Sequence, residues 1–236
     1  INNPTGLILL YMPFLQDFFR DTITIFDCTF GRSSDKRIGQ LPYSKARSEI
    51  DKCLNAIFDG AKSIKRIVDD LKNFSRSDMP QKYVDIDINS SVRTAVRLTG
   101  NLIKQTTNKL ICEYDNHPLY VKGNRQRIEQ VILNLIQNAC YALENKESRI
   151  LIRTILASEE NLIFIEIEDE GCGIDPETIT KITDPFFTTR REKGGTGLGL
   201  SISARIVKEH GGRLEFKSKK REGTLVRVIL PARRLS

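Results

Sequence analysis

The 236-residue chain is 39% hydrophobic and 28% charged, the balance of a globular protein of one or two domains. Its net charge of +7 is spread thinly. The short cationic clusters at Arg190–Arg191, Lys219–Arg221 and Arg233–Arg234 lack an interleaved aromatic platform, which argues against a nucleic-acid-binding protein.

The first apolar run, Leu7 to Leu15, is short of the ~20 residues of a membrane span, contains Pro13, and soon meets Gln16, Asp17 and Arg20. It reads as a core-facing helix with a stripe of Leu7, Leu10, Phe14 and Phe18, and Pro4 near its start. No basic stretch precedes it, so no signal peptide is expected and a membrane contact would have to come from sequence upstream. Thr22 to Pro42, with Gly31, Ser33, Ser34, Asp35 and Gly39, reads as a long connection. From Ser44 to Phe74 the apolar positions Ile50, Leu54, Ile57, Ala61, Ile64, Val68 and Leu71 alternate steps of four and three, an a/d seam that belongs to a supercoiled bundle. Residues 1–78 are therefore expected to form an antiparallel helical hairpin. One hairpin has too little core to stand alone, so a four-helix bundle in a homodimer is its natural completion.

Ser75 to Pro80 ends the second helix, and residues 79–236 have a different texture. Tyr83–Asp87 predicts a strand, and Asn89 is placed to cap a helix running to about Lys104. Strands are expected at Lys109–Tyr114, Leu119–Val121, Ile150–Leu156 and Leu162–Glu168, with an amphipathic helix over Gly123–Glu144. A Gly-rich stretch leads into a helix over Gly197–His210, and Arg213–Lys217 and Thr224–Leu230 form a final hairpin around Arg221 to Gly223. The mostly hairpin-linked strands favour an α+β sandwich over a doubly wound parallel sheet. Five cysteines (Cys28, Cys53, Cys112, Cys140, Cys172) without a CxxC pair or a histidine cluster point to reduced thiols in a cytoplasmic setting, not to a metal site.

Four segments carry the chemistry. Asn134 and Asn138, four apart on one helix, share a face beside the apolar one; their amide oxygens are hard neutral ligands suited to magnesium. By themselves they also fit two core-edge asparagines. Asp169-Glu-Gly171-Cys-Gly173-Ile174 puts a carboxylate at a strand end, where it can accept a hydrogen bond from the adenine amine, with glycines that let a ligand approach the backbone. An acidic turn is the plain alternative. Thr183 to Thr189 and then Gly195-Thr196-Gly197-Leu198-Gly199-Leu200 open a helix, whose N–H groups and positive end suit a phosphate. Residues 175–195 read as a lid, with Phe186 and Phe187 as its apolar anchor. Glu222-Gly223-Thr224 could pack against adenine, or be an ordinary turn.

In order and spacing, Asn134/Asn138, Asp169–Gly173, Asp184–Thr189, Gly195–Gly199 and Gly223–Thr224 resemble the N, G1, F, G2 and G3 boxes of the sensor histidine kinases, over roughly Tyr83 to Pro231. The resemblance implies an α/β sandwich of the histidine kinase/gyrase/Hsp90 ATPase type. Where the hydrolysing members keep a glutamate four residues before the magnesium asparagine, this sequence has Asn134, which suits phosphoryl transfer to a protein. Ile1-Asn-Asn-Pro4 resembles the tail of the phosphoacceptor box, so the family's histidine is expected just before Ile1; the chain as given should bind ATP and dimerise without autophosphorylating. By the same resemblance, Asn138 is the principal magnesium (Mg2+) ligand with Asn134 its helper, and Asp169 reads adenine. Gly171, Gly173, Ile174, Phe187, Thr188, Thr189, Thr196, Leu198 and Thr224 line the ATP site. Gly195, Gly197 and Gly199 hold the phosphates, with Lys193 or Arg191 as an extra cation. The implied partner is the receiver domain of a response regulator, whose aspartate takes the phosphoryl group. The competing readings are another kinase of this fold and a non-catalytic nucleotide-binding scaffold. Of the two histidines, His117 lies between strands and His210 is placed to cap a helix, so neither is expected to be the acceptor.

Overall fold

The computed structural model describes residues 2–31, 37–38, 40–75, 83–157, 159–190 and 195–233. The chain divides into two compact units, Ile1–Arg76 and Ser77–Ser236.

The first unit is a hairpin of α1 (Asn2–Phe30) and α2 (Tyr43–Ser75). Gln16 donates to Asn55 at 2.9 Å while the Tyr43 hydroxyl donates to Asp27 at 2.8 Å, so positions late in one helix meet positions early in the other: the pair is antiparallel. The expectation of a connection beginning at Thr22 is corrected, because α1 continues to Phe30. Thr22, Thr24 and Thr29 are β-branched, yet their hydroxyls donate to the carbonyls four residues back at 2.7, 2.9 and 2.8 Å, which is compatible with an unbroken helix. Gly31, at φ 75°, ends it. The connection holds a two-residue pair, β1 (Arg37–Ile38) with β2 (Leu41–Pro42).

The core-facing reading of the first stripe also needs correction. Leu7, Leu10, Phe14 and Phe18 are all exposed, and Met12 is the buried side chain between them. In α2 the seam splits: Leu54 and Ala61 are buried, whereas Ile57 and Ile64 remain about half exposed, at 51% and 47%. Two helices can bury only the columns that face each other. Among the described residues no helix is long and apolar enough to cross a membrane.

The second unit is a two-layer α+β sandwich. Its elements are β3 (Val84–Asp87), α3 (Ile88–Leu98), α4 (Gly100–Thr106), β4 (Lys109–Glu113), β5 (Tyr120–Gly123) and α5 (Arg125–Ala142). They continue with β6 (Arg149–Ala157), β7 (Leu162–Asp169), α6 (Pro176–Ile179), α7 (Gly199–Glu209), β8 (Arg213–Lys219) and β9 (Gly223–Pro231). Five strands form one sheet in the order β4-β6-β7-β9-β8; β4 and β6 are parallel and the other pairs antiparallel, while β3 and β5 make a separate antiparallel pair. A parallel pair requires a crossover, and the segment containing α5 supplies it.

Alternation along the strands decides the faces. Ile163, Ile165 and Ile167 of β7 join Ile150 and Ile152 of β6 and Val228 and Leu230 of β9 in one core with Ile128, Ile132, Leu135 and Ile136 of α5. Each such side chain, fully withdrawn from water, contributes about 1.5–3 kcal/mol. The opposite face carries Glu166, only 3% exposed, with Arg153 at 2.9 Å and Arg227 at 2.6 Å on its two oxygens.

Two local expectations change. Asp87 rather than Asn89 caps α3, accepting from the Ser90 amide at 3.4 Å. Asn89 instead donates to the carbonyls of Asp115 and His117 and accepts from Thr154 at 2.6 Å, tying α3 to β6. The helix expected to reach Lys104 breaks at Thr99, whose hydroxyl turns back to the Ala95 carbonyl at 2.8 Å before α4 begins at Gly100.

Candidate functional site

The N-terminus of α5 is capped by Asn124, whose side chain accepts from the Arg127 amide at 3.1 Å. Burial of Ile128, Val131, Ile132, Leu135, Ile136 and Ala139 fixes the rotation of the helix. Asn134 is thereby left half-buried and Asn138 exposed at the rim of the core. The Asn134 amide nitrogen donates to Ser203 of α7 at 2.9 Å, so its oxygen turns towards Gly199, the first residue of α7. A Cβ at Gly199 would meet that oxygen, so any larger residue would push the Asn134 amide out of its present position.

The segment ahead of α7 is folded onto the Phe186–Arg190 stretch. Phe186, at φ 67°, donates its amide to the Gly197 carbonyl at 3.0 Å, and Gly197 is itself at φ 70° with the Phe186 and Phe187 carbonyls packed against it. Thr188 accepts the Arg190 amide at 3.1 Å, Gly195 donates to the Arg190 carbonyl at 2.9 Å, and Thr196 accepts from the buried Leu198 at 3.3 Å. Thr189 is exposed beside them. The reading of Phe186 as an apolar anchor is corrected: it is 57% exposed, on a backbone in the left-handed region. Phe187 is half-buried, and Ile182, at 7%, is the buried apolar side chain of this stretch. Arg191 and Lys193 lie outside the described residues.

At the other end of the site, Asp169 closes β7 opposite Thr224 of β9. It is 6% exposed and accepts from the Gly171 amide at 2.9 Å. Burial pushes its carboxyl up to about 6, against the opposing pull of the Gly171 and Thr224 amides. The Ser218 hydroxyl joins three parts of this end: it accepts from the Ile174 amide, donates to the Gly223 carbonyl and meets the Thr224 hydroxyl, each at 2.8 Å. Gly173, at φ 64°, packs on the Lys219 carbonyl of the same hairpin.

Sequence reasoning missed Ser203 and Ser218. Ser203 follows Gly199 by four residues and so shares its helix face, a spacing that could have flagged it. Ser218 is detectable only through its register opposite Thr224. His117 is exposed beside Asp115, while the buried His210 caps α7: its Nδ1 donates to the Ile206 carbonyl at 2.7 Å and its Nε2 accepts the Asn124 amide at 3.0 Å. Among the described residues no His, Cys, Asp or Glu cluster could hold a metal, so a cation here would depend on the asparagine amides and on oxygens brought by a ligand.

Residues 123–234 match the family described as histidine kinase-, DNA gyrase B- and HSP90-like ATPases. The chain is 37% identical over 239 residues to a protein of Shewanella frigidimarina named as a sensor, covering 97% of this chain and 34% of that protein. With the signal transduction histidine-protein kinase AtoS of Escherichia coli the identity is 34%, covering 75% of this chain and 28% of AtoS. The solved catalytic domain of histidine kinase ThkA superposes with a TM-score of 0.57 at 31% identity, over 64% of this chain and 98% of that domain. The chain belongs to the sensor histidine kinases. It is a histidine kinase catalytic core with a nucleotide-binding ATPase domain, and it spans about a third or less of the length of the curated relatives it matches.

Proposed function

We propose that this kinase core binds Mg-ATP in the cleft bounded by α5, the glycine loop and the β7–β9 end, and directs the γ-phosphoryl group to a histidine of the helical hairpin. Asn138 and Asn134 hold the magnesium ion, Asp169 accepts the adenine amine, and the α7 N-terminus with Gly195, Gly197 and Gly199 receives the phosphates. The observation that carries this reading is the buried Asp169 carboxylate beside Thr224, in the same unit as an Asn134 oxygen turned onto the first residue of α7. A buried carboxylate costs free energy unless something uses it, and an exocyclic amine would. Magnesium bound to the phosphates would neutralise charge in the transfer, a reaction governed by positioning.

The hairpin, with its boundary placed at residue 78, is proposed to dimerise into a four-helix bundle, in keeping with the exposed Leu10, Phe14, Phe18, Ile57 and Ile64. The acceptor histidine is proposed to precede Ile1, whose Ile-Asn-Asn-Pro run matches the tail of the acceptor pattern, and the aspartate of a response regulator receives the phosphoryl group. A chain extended by the two preceding residues should take acid-labile label from γ-labelled ATP. Acid-stable label would instead mark serine or threonine transfer and defeat the histidine reading.

A further inference from the structure

We propose that His210 is a positioning residue of the nucleotide site, its neutral ring clamping the end of α7 to the start of α5; this rests on the Mg-ATP reading above. The two helices run antiparallel through three polar contacts. Asn134 bonds Ser203 at 2.9 Å, Arg127 bonds Glu209 at 2.7 Å, and the Asn124 amide donates to the His210 Nε2 at 3.0 Å. One helix carries the paired asparagines and the other begins at the glycine loop, so their register sets how the asparagine amides face that loop.

The clamp stands in for a cap that the sequence lacks. The backbone N–H of a capping residue such as Asn124 lies outside its helix, and a glutamate or glutamine three residues on commonly accepts it. Here that position is Arg127, a donor only, and the imidazole at the end of α7 accepts the amide instead. Its Nδ1 donates to the Ile206 carbonyl at 2.7 Å, so both ring nitrogens are engaged in the one neutral tautomer protonated at Nδ1. The ring is 5% exposed and lies on the Gly123 backbone, where an added Cβ would meet its Cδ2 and Nε2 atoms. Tyr83 covers it at 5.5 Å between ring centroids. Of the charged neighbours, Glu209 is held by Arg127 and Arg205, while Asp85 and Lys122 of the adjoining strand pair are exposed. A proton on Nε2 would set two N–H groups against each other; the bond to α5 would be lost and the bond within α7 kept. About 15 Å of helix separates Asn124 from Asn134, a rigid element that transmits a splay at one end to the other.

The chain has two histidines, and the exposed His117 serves as the control. Nitrogen-15 NMR of the unmodified chain should show His210 protonated at Nδ1 and bare at Nε2. Coupling is reciprocal: if the clamp favours Mg-ATP about tenfold, the worth of one buried hydrogen bond, saturating Mg-ATP should lower the His210 titration midpoint by about one pH unit. The His117 midpoint should stay in place, and adenosine, which lacks phosphates, should move neither. The ratio of Mg-ATP to adenosine affinity cancels the adenine-end effect of Asp169. As His210 titrates, that ratio should fall about tenfold further in the parent chain than in His210→Gln, whose side-chain oxygen accepts the Asn124 amide without titrating. A His210 midpoint unmoved by Mg-ATP, one moved as far by adenosine, or the same pH profile in His210→Gln overturns the proposal. Failure of the unmodified chain to bind Mg-ATP overturns the underlying reading, whereas binding with an unmoved His210 overturns this inference alone.

Discussion

The hairpin and the sandwich handle their apolar side chains in opposite ways. The sandwich closes on itself, with Ile132, Ile136, Ile150, Ile152, Ile163 and Ile165 all at 0% exposure. The hairpin leaves Leu10 at 67%, Phe14 at 69%, Phe18 at 55% and Ile25 at 66%. A sheet covered by helices can hide a whole apolar face, whereas two helices hide only the columns between them. The sandwich thus buries its own apolar face, and the hairpin leaves much of its own in the open, as the proposed dimer would require.

The sharpest way to test that contrast is in the closed core. Ile165→Ala should cost the sandwich about 2–5 kcal/mol in chemical denaturation, since a filled core leaves a cavity behind. A change near zero would mean that the core is looser than its burial indicates. At the proposed nucleotide site, Asp169→Ala should lower Mg-ATP affinity on the order of 100-fold, equal to the upper range for a hydrogen bond to a charged group, and Asn138→Asp should also abolish tight binding. Unchanged affinity by calorimetry would sink the assignment of these residues.

Asp169 also makes a signed pH prediction. Its folded carboxyl titrates near 6, above the ordinary 3.8, so the native state holds its proton more tightly than the unfolded chain does. That contribution to stability is full below about 3.8 and is lost as pH rises towards 6, amounting to about 3 kcal/mol for a shift of roughly two units. Asp169→Asn should therefore become more stable relative to the parent chain between pH 4 and 7, followed by urea midpoints. ATP affinity should move the other way, falling as pH drops below 6, because the protonated acid is a poorer acceptor for the adenine amine. A flat difference between parent and variant would remove the argument from burial.

The smallest effect belongs to the open hairpin. Phe14→Ala should leave the stability of the dilute monomer within about 0.5 kcal/mol, as for other surface changes, while raising the dissociation constant of the proposed dimer in sedimentation. A large loss of monomer stability would show that Phe14 is already packed within one chain.

Much of this was legible beforehand, for local reasons. The carboxylate at the end of β7, the paired asparagines of α5 and the glycines entering α7 are set by periodicities and turn chemistry that short windows carry. The errors share a different cause. Asn89 looked like a cap, but its partners come from Asp115, His117 and Thr154, far along the chain. Thr22–Phe30 was read into the connection that Gly31, Ser33, Ser34, Asp35 and Gly39 mark, and hydroxyl-to-carbonyl bonds within the helix accompany its continuation instead. Phe186 looked like an anchor by its residue type, but it lies exposed in a turn of left-handed backbone bonded to Gly197.

Pattern alone thus determined two long helices and an α+β sandwich, and it picked out the residue types of the proposed nucleotide site, since each follows from spacing within short segments. Only the tertiary structure decided which face each seam residue shows, that Ser203 turns the Asn134 oxygen towards Gly199, that Ser218 joins Ile174 to the last hairpin, and that Arg190 rests on Tyr141. Those are contacts between residues far apart in sequence, and no periodicity encodes the distance between them.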